Sequence, residues 1–330
     1  MNLAFDRRLF LFSSAASLTS ALLKPGQAHA GVPFSDWLVR VKDRARAAGV
    51  SGSTVDEALK QVEPDPKVVE LDRRQPEGRL SFIEYRRRVL SDARISGGRR
   101  RFAKHQSLLT DVERRYGVPA EVLVSLWGIE SSFGEYKGRF SVIRSLATLA
   151  HDGRRAEFFE GELIAALKII DAGDIELSGM FGSWAGAMGQ SQFMPSTYLN
   201  HAVDFDGDGR RNIWTSLDDT FGSMANYLRA VGWDPRYIWG RQVTLTQSVP
   251  SDMKGRDNKF PLERWQELGV RRANGTALPK VAITASLIET DDGAGPTYLT
   301  YGNFDALMRW NRSTYFALSV GQLADKIRQA

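Results

Sequence analysis

The sequence predicts a mainly α-helical protein with a small β-rich part, an α+β fold. Residues 31–115 have helix-type apolar spacing, broken by prolines in the middle. Residues 116–238 continue the helical pattern with more glycine, and residues 239–300 change to short β-type runs among Gly, Pro and Asp. Residues 301–330 return to a helical pattern, so we expect both ends of the chain to be helical.

Within these regions the apolar spacing locates individual elements. An opening helix is predicted around Trp37, Val41 and Ala45, and a later one around Phe82 and Val89. Three short apolar runs are predicted strands: 243–245, 280–283 and 286–288.

The first 30 residues have the features of a signal peptide. Arg7 and Arg8 precede the apolar stretch 9–23, and residues 28–30 form an A-x-A cleavage site. The arginine pair fits the twin-arginine route, and an ordinary Sec signal is the alternative. We therefore expect a periplasmic mature protein that begins near Gly31.

Composition excludes several functional classes. The formal net charge is +5, too small to favour a nucleic-acid partner. The chain has no cysteine, which excludes disulfides, thiol catalysis, thiolate metal sites and a lipid-modified cysteine. Arginine clusters at 86–88 and 99–101 are interpreted either as solvated helix faces or as attraction for an anionic polymer.

Glu130 is the leading candidate for catalysis. It lies near the end of a predicted helix for which Pro119 suits the first position and Glu121 suits the positive end of the dipole. A carboxyl at the negative end, beside Trp127 and Phe133, is poorly solvated. Both effects disfavour ionisation, as a general acid near neutral pH requires. The alternative is an exposed glutamate at a helix end.

A Gly/Gln-rich segment, 186–195 (GAMGQSQFMP), follows Glu130 in the chain. This layout resembles the active sites of lysozyme-like glycan-cleaving enzymes. An ordered series of motifs closely resembles the lytic murein transglycosylase B family, in its soluble periplasmic form. The motifs extend over essentially the whole mature chain: ESSFG (130–134), HDGRR (151–155), GSWAGAMG (182–189), QFMPSTY (192–198), AVDFDGDG (202–209), ANYL (225–228) and RWNRSTY (309–315).

The resemblance implies a lysozyme-like helical core, a second helical domain formed by both chain ends, and a small β-rich subdomain. It implies cleavage of the β-1,4 bond between N-acetylmuramic acid and N-acetylglucosamine in peptidoglycan, without water. Glu130 would act as acid and then as base, giving 1,6-anhydromuramyl ends. No second catalytic carboxylate is expected, because the substrate's acetamido group is thought to stabilise the cation. No catalytic cofactor is expected either.

The same resemblance implies residues that bind the glycan. Ser183 and Gln192 would hydrogen-bond the glutamate or the acetamido group, and Gly186 and Gly189 would let the backbone approach sugar closely. The remaining substrate-binding residues implied are Tyr85, Arg154, Arg155, Tyr227, Trp310, Asn311 and Phe316. For each aromatic side chain, burial in the core is the alternative.

The Asp204–Gly209 stretch begins like an EF-hand calcium loop. The standard twelfth position is Thr215, which offers no bidentate carboxylate. The family's longer loop implies a structural calcium with five ligand residues: Asp204, Asp206, Asp208, Arg210 (through its carbonyl) and Asp218. The alternative is an Asp/Gly-rich turn without metal.

Other functions stay open on sequence alone. One is a hydrolytic muramidase in which Asp152 or Glu135 activates water. Others are a non-catalytic peptidoglycan-binding module and a calcium-dependent interaction protein. We expect a monomer that acts on peptidoglycan glycan strands, with wall-synthesis proteins as further candidate partners.

Overall fold

The computed structural model describes residues 32–74 and 80–329. This part is predominantly helical with small antiparallel sheets, which confirms the mainly α, α+β prediction. The predicted signal peptide, residues 1–30, lies outside the described residues. None of the described helices combines the length and apolar character needed to cross a membrane.

The helices, in chain order, are α1 (Phe34–Ala47), α2 (Gly52–Ala58), α3 (Pro66–Arg73), α4 (Phe82–Val89), α5 (Asp92–Lys104), α6 (Gln106–Tyr116), α7 (Ala120–Ser131), α8 (Val142–Asp152), α9 (Ala156–Asp171), α10 (Pro195–His201), α11 (Leu217–Ala230), α12 (Leu262–Glu267), α13 (Gly302–Trp310) and α14 (Thr314–Arg328). The strands are β1 (Phe140–Ser141), β2 (Phe181–Gly182), β3 (Gly240–Leu245), β4 (Phe260–Pro261), β5 (Val270–Arg272), β6 (Thr284–Glu289) and β7 (Thr297–Thr300).

Short polar side chains determine where several helices begin. Ser51, Ser91 and Ser141 each precede a helix and accept a hydrogen bond from a backbone N–H of its first turn. Asp65 does the same for α3, which starts at Pro66. These caps satisfy N–H groups that have no partner inside the helix, so the starting points are encoded locally.

The first compact unit consists, within the described residues, of 32–74 and 127–226. In it α9 packs against α8, α10, α2 and α1, and α3 packs against α8. Leu146, Leu163 and Met188 are fully buried in this unit. The small β1–β2 ribbon, whose first strand follows α7 in the chain, belongs to the same unit.

The second compact unit consists of 80–126 and 227–329. Here α14 packs against α4, α5 and α13. The five strands β4-β6-β7-β3-β5 form an antiparallel sheet in that order. Trp265 is fully buried in the sheet's apolar cluster, where its indole N–H donates to the carbonyl of Ala285.

These units divide the chain differently from the predicted boundaries. The sequence groups residues 31–115 into one N-terminal helical domain, whereas residues 32–74 pack in the unit that carries Glu130. The physical reason is burial: Trp37, Val41 and Ala45 of α1 have no exposed surface, and α1 contacts α9. Hydrophobic periodicity shows that a helix has an apolar face but not which partner covers it.

One predicted strand is wrong. Residues 280–283 form no strand, because the Val281 N–H donates to the Pro279 carbonyl and the Ile283 N–H donates to the Val281 carbonyl. Such successive three-residue turns take the backbone out of the extended conformation that pairing needs. The predictions at 243–245 and 286–288 are confirmed, since they lie within β3 and β6.

Candidate active site

Glu130 is the penultimate residue of α7 and is half-buried. The helix ends because Ser132, Phe133 and Gly134 have φ values of 52°, 62° and 79°. The Phe133 N–H donates back to the Trp127 carbonyl at 3.1 Å, the long capping bond typical of a left-handed helix end. Glu130 is therefore held at the negative end of a rigidly terminated helix.

The same helix end has an aromatic wall. The Trp127 and Phe133 rings meet edge to face, with centroids 5.5 Å apart. Gly128 makes this possible, because a Cβ there would lie 2.5 Å from Phe133 Cε1. Phe221 packs on Trp127 at 5.3 Å. The chain beside Glu130 is thus apolar and tightly packed.

The segment after β2 folds back on itself. Backbone bridges join Gly182 to Met188 and Met188 to Phe193, so three short stretches lie side by side. Ser183 lies next to the first bridge and is 1% exposed. Its Oγ accepts a hydrogen bond from the Ala187 N–H at 3.0 Å. Ser183 is thereby fixed inside a tight turn.

Gln192 lies at the other side of this folded segment. Its backbone φ is 52°, a conformation that non-glycine residues rarely adopt. Its side-chain Nε2 donates to the Gly189 carbonyl at 2.8 Å. Its Oε1 is buried and has no hydrogen-bond partner among the described residues. A buried acceptor of this kind fits an N–H or O–H group from a ligand or a water.

The loop that leaves α7 is fastened to this segment. Phe140 pairs with Gly182 in the β1–β2 ribbon, and the Gln192 Nε2 also donates to the Lys137 carbonyl at 3.4 Å. Gly138 lies so close to the backbone of Gly182 that any Cβ there would overlap it. The loop after Glu130 is therefore bonded both to the backbone beside Ser183 and to the side chain of Gln192.

The structure gives a packing reason for two glycines. At Gly186 a Cβ would lie 2.5 Å from Leu146 Cδ2, and at Gly189 it would lie 2.7 Å from Ile213 Cγ1. The space beside both residues is filled by the protein's own side chains, so internal packing requires glycine at both positions. Positive φ values of 92° and 66° add a second reason for glycine.

Gln190 has a role that the sequence did not reveal. Its Oε1 accepts a hydrogen bond from the Trp127 indole N–H at 2.9 Å, and its side chain is 6% exposed. Its backbone N–H donates to the Ile213 carbonyl at 2.9 Å.

Arg154 and Arg155 converge on a buried carboxylate. Arg154 makes two hydrogen bonds to the two oxygens of Asp72, at 2.9 and 2.7 Å. The Arg155 guanidinium reaches the same side chain at 3.0 Å, and Asp72 is 2% exposed. One carboxylate cannot neutralise two guanidinium groups, so this cluster keeps one positive charge at a partly exposed position.

The two candidate second carboxylates differ from a catalytic base. Asp152 is paired with Arg73 at 2.9 Å, so its carboxylate is engaged in a structural contact. Glu135 is exposed on the loop after α7. Asp152 is half-buried at the end of α8, as Glu130 is at the end of α7, but its carboxylate is occupied by the Arg73 ion pair, while Glu135 does not share this setting.

In the second unit, three of the predicted glycan-binding residues lie close together. The Tyr227 ring meets the Trp310 ring edge to face at 5.1 Å, and the Tyr227 hydroxyl donates to the Arg309 carbonyl at 2.7 Å. Burial raises the pKa of Tyr227 to about 12, although Arg309 acts in the opposite direction. Asn311 is largely buried, and its Oδ1 accepts the N–H of Ser313, the residue that caps α14.

The prediction for Phe316 requires a correction. Phe316 is 3% exposed and belongs to the core, so its ring has almost no surface for a sugar. The preceding residue, Tyr315, is half-buried and pairs with Tyr85, with ring centroids 5.9 Å apart. Successive residues of a helix point about 100° apart, and the packing of α14 decides which of them faces outward.

The acidic loop forms a cluster of carboxylates. Ligand atoms of Asp204, Asp206, Asp208 and Asp219 lie within 4.8 Å of one another. Asp204 also accepts hydrogen bonds from the N–H groups of Gly207, Asp208 and Gly209, which closes the loop around its carboxylate. Arg210 lies in the loop with an exposed side chain, and its N–H donates to Asp208.

The structure brings the neighbour of the last predicted metal ligand into this cluster. Asp219, not Asp218, joins the cluster. Asp219 is fully buried and accepts the N–H groups of Phe205 and Asn212 at 2.7 and 2.6 Å. Burial raises the pKa of Asp219, while these two hydrogen bonds act against the rise. Four carboxylates at such short range fit a hard divalent cation such as calcium.

Comparison with known families decides the classification. The sequence profile described as "Transglycosylase SLT domain" matches residues 33–325. The chain belongs to this transglycosylase SLT family. The chain is also similar to the membrane-bound lytic murein transglycosylase B of Escherichia coli (strain K12), with 33% identity over 255 residues that cover 76% of this chain and 68% of that protein.

Several solved structures are similar to this chain in fold. SltB3 from Pseudomonas aeruginosa in complex with NAG-NAM-pentapeptide has a TM-score of 0.88 and 43% identity, over 91% of this chain and 81% of SltB3. SltB3 in complex with NAG-anhNAM-pentapeptide has a TM-score of 0.86 and 44% identity, over 90% of this chain and 80% of SltB3. Escherichia coli Slt35 in complex with calcium has a TM-score of 0.77 and 29% identity, over 93% of this chain and 99% of Slt35. The lysozyme-like prediction and the predicted enzyme class are confirmed.

Proposed function

We propose that this transglycosylase cleaves the β-1,4 bond between N-acetylmuramic acid and N-acetylglucosamine in peptidoglycan and leaves 1,6-anhydromuramyl ends. The observation that carries the proposal is the position of Glu130, half-buried at the terminated end of α7 and joined by its following loop to Ser183 and Gln192. The SltB3 complexes with NAG-NAM- and NAG-anhNAM-pentapeptide support the same substrate and product class.

One carboxyl group can perform both proton transfers. Glu130 as an acid protonates the glycosidic oxygen, and the bond from that oxygen to the anomeric carbon breaks. N-acetylglucosamine leaves with a hydroxyl. The resulting Glu130 carboxylate removes the proton from the muramyl 6-hydroxyl, whose oxygen then bonds to the anomeric carbon. The glutamate ends protonated as it began, and no water is consumed.

Ser183 and Gln192 supply the polar surroundings. The Ser183 oxygen already accepts N–H groups from Ala185 and Ala187, so its hydroxyl proton is the group available to a carboxylate or an acetamido oxygen. The buried Gln192 Oε1 is an acceptor for an acetamido N–H. Both contacts would stabilise charge that develops during cleavage, and pre-fixed groups do so without reorganisation.

Further parts of the substrate site are proposed on the remaining contacts. The net positive charge of the Arg154, Arg155 and Asp72 cluster suits the lactyl carboxylate or the peptide stem. Tyr85, Tyr227 and Trp310 would contact sugar rings. We propose action in the periplasm as a monomer, with wall-synthesis proteins as candidate partners.

We also propose a structural calcium. The ion would be held by the carboxylates of Asp204, Asp206, Asp208 and Asp219. It would thereby cross-link the loop to the start of α11, where Asp219 lies. The Slt35 complex with calcium shows that a member of the family binds this ion. Calcium would neutralise the mutual repulsion of the four carboxylates and would take no part in the chemistry.

Product analysis tests the function. Purified peptidoglycan is digested with wild type and with Glu130→Gln, and the products are examined by mass spectrometry. We expect anhydromuramyl ends from wild type alone, while Glu130→Gln keeps the wild-type circular dichroism spectrum. Reducing muramyl ends would mean a hydrolase that uses a second carboxylate. No cleavage by wild type would favour a binding module.

A further inference from the structure

The turn between β6 and β7 in the second unit has an unusual backbone. Asp291 and Asp292 have φ values of 52° and 53°, and Gly293 follows at 89°. Two successive non-glycine residues in the left-handed region are strained, and such strain persists only where surrounding contacts hold it. Backbone strain of this kind is concentrated at functional sites in proteins, so this turn is a candidate functional element.

The carboxylate of Asp291 reaches the start of α4. Its Oδ1 accepts the Phe82 N–H at 2.5 Å and its Oδ2 accepts the Ile83 N–H at 3.1 Å. Ser81 and Glu84 form a capping box, in which the side chain of each residue accepts the backbone N–H of the other. The side chain of Asp291 therefore completes the capping of α4 from a distant part of the sequence. A helix of only eight residues depends on such contacts for its position.

The same carboxylate also holds a tyrosine. The Tyr315 hydroxyl donates to Asp291 Oδ1 at 3.3 Å. Burial raises the pKa of Tyr315 and Asp291 acts in the same direction, so the phenol stays protonated as the donor. The Tyr315 ring packs on Phe82 at 5.1 Å and on Tyr85 at 5.9 Å, with an angle of 49° between the two tyrosine rings.

These contacts make one arrangement from three parts of the chain. Tyr85 is carried by α4 and Tyr315 by α14. Asp291 in the β6–β7 turn bonds to the backbone at the start of α4 and to the Tyr315 hydroxyl. Both rings are half-buried, so each keeps exposed surface. Tyrosine rings with a polar edge and an apolar face suit pyranose rings, which present C–H groups on their faces and hydroxyls on their edges.

We propose that Tyr315 and Tyr85 form a paired stacking surface for the sugar rings of the glycan strand, and that Asp291 is the positioning residue that sets the geometry of the pair. The proposal rests on the proposed function, because it takes peptidoglycan glycan as the ligand. It adds Tyr315 to the residues that contact substrate and assigns a purpose to the strained turn.

Two glycine substitutions separate the carboxylate from the strain. Asp291→Gly and Asp292→Gly both relieve a left-handed aspartate, but only the first removes the contacts to α4 and Tyr315. Both are made in the Glu130→Gln background, where binding is measured without cleavage. The probe is a purified NAG-NAM tetrasaccharide, and its Kd is measured by calorimetry.

We expect Asp291→Gly to raise the Kd about fivefold, the scale of one lost aromatic contact, and Asp292→Gly to leave it unchanged. Tyr315→Ala should raise the Kd similarly. Combining Asp291→Gly with Tyr85→Ala should add little to Tyr85→Ala alone, because both act through one surface. When Asp291→Gly or Tyr315→Ala is made in the active enzyme, which keeps Glu130, KM should rise while kcat stays unchanged.

Equal Kd values for the two folded glycine variants would overturn the proposal. So would additive effects of Asp291→Gly and Tyr85→Ala, which indicate general loosening of the fold. If Asp291→Gly does not fold, Asp291→Asn replaces it, since it keeps the volume but cannot accept both N–H bonds. Failure of the proposed function is a separate result: wild type would then make no anhydromuramyl product, whatever the binding series shows.

Discussion

The Trp127 indole N–H donates to Gln190 Oε1 at 2.9 Å, and both side chains are buried. Trp127 lies one helical turn before Glu130, and Gln190 lies two residues before Gln192. This single hydrogen bond therefore ties the helix that carries the candidate acid to the segment that carries its polar surroundings. A buried bond of this kind excludes water and fixes relative position.

We predict that Gln190→Leu lowers kcat and destabilises the protein by about 1–3 kcal/mol, because the buried indole N–H loses its acceptor. Trp127→Phe removes the donor from the other side. Since both substitutions break the same bond, their effects should be less than additive in urea unfolding. Fully additive free energies would show that the bond does not couple the two elements.

Gly128→Ala should disturb the same region by a steric route. The new Cβ would lie 2.5 Å from Phe133 Cε1, so the ring must move away from Trp127. We expect a loss of about 1–3 kcal/mol and reduced kcat. Gly161→Ala is the matched control, since Gly161 is exposed in α9 with nothing within 4 Å of a Cβ. It should stabilise by about 0.5–1 kcal/mol. Equal melting temperatures for the two variants would refute the packing argument.

Calcium should stabilise the protein through Asp219 and not through Asp218. At a free concentration 100 times its Kd, a ligand that binds only the folded state adds about 2.7 kcal/mol. We expect a calcium-dependent rise in Tm for wild type and for Asp218→Asn, and a much smaller rise for Asp219→Asn. A lost response in Asp218→Asn alone would restore the ligand set predicted from sequence.

Two tyrosines whose pKa is raised, the buried Tyr298 and the half-buried Tyr227, should affect stability at alkaline pH. Burial raises the pKa of Tyr298 to about 12, and its hydroxyl has no hydrogen-bond partner among the described residues. An unfolded tyrosine loses its proton near pH 10. Between these values only the unfolded chain releases the proton, so this contribution to stability is complete below pH 10 and falls as pH rises towards 12.

We therefore expect Tyr298→Phe to leave the free energy of unfolding nearly unchanged at pH 8. Between pH 8 and pH 11 the variant should lose about 1.4 kcal/mol less of that free energy than wild type does. Tyr227→Phe should show a similar alkaline gain, since burial also raises the pKa of Tyr227 to about 12. It should cost about 1 kcal/mol at pH 8, because its bond to Arg309 is lost. Urea unfolding at both pH values checks this, and an unchanged pH dependence in Tyr298→Phe would contradict it.

Features encoded by local chemistry were predictable from the sequence. The helix that carries Glu130, the strands at 243–245 and 286–288, and the first three aspartates of the acidic loop each depend on spacing within a few residues. Helix and strand periods, capping residues and alternating carboxylates act over such distances, so the chain order alone reveals them.

Contacts between distant segments were not predictable. The choice of Asp219 over Asp218, and of Tyr315 over Phe316 as the more exposed ring, depends on which side of a helix faces its neighbours. The sequence alone determined the family, the helical fold class and the position of Glu130. Only the tertiary structure decided how Gln190 and Asp291 hold the surrounding elements, because their partners lie tens to hundreds of residues away and packing alone brings them together.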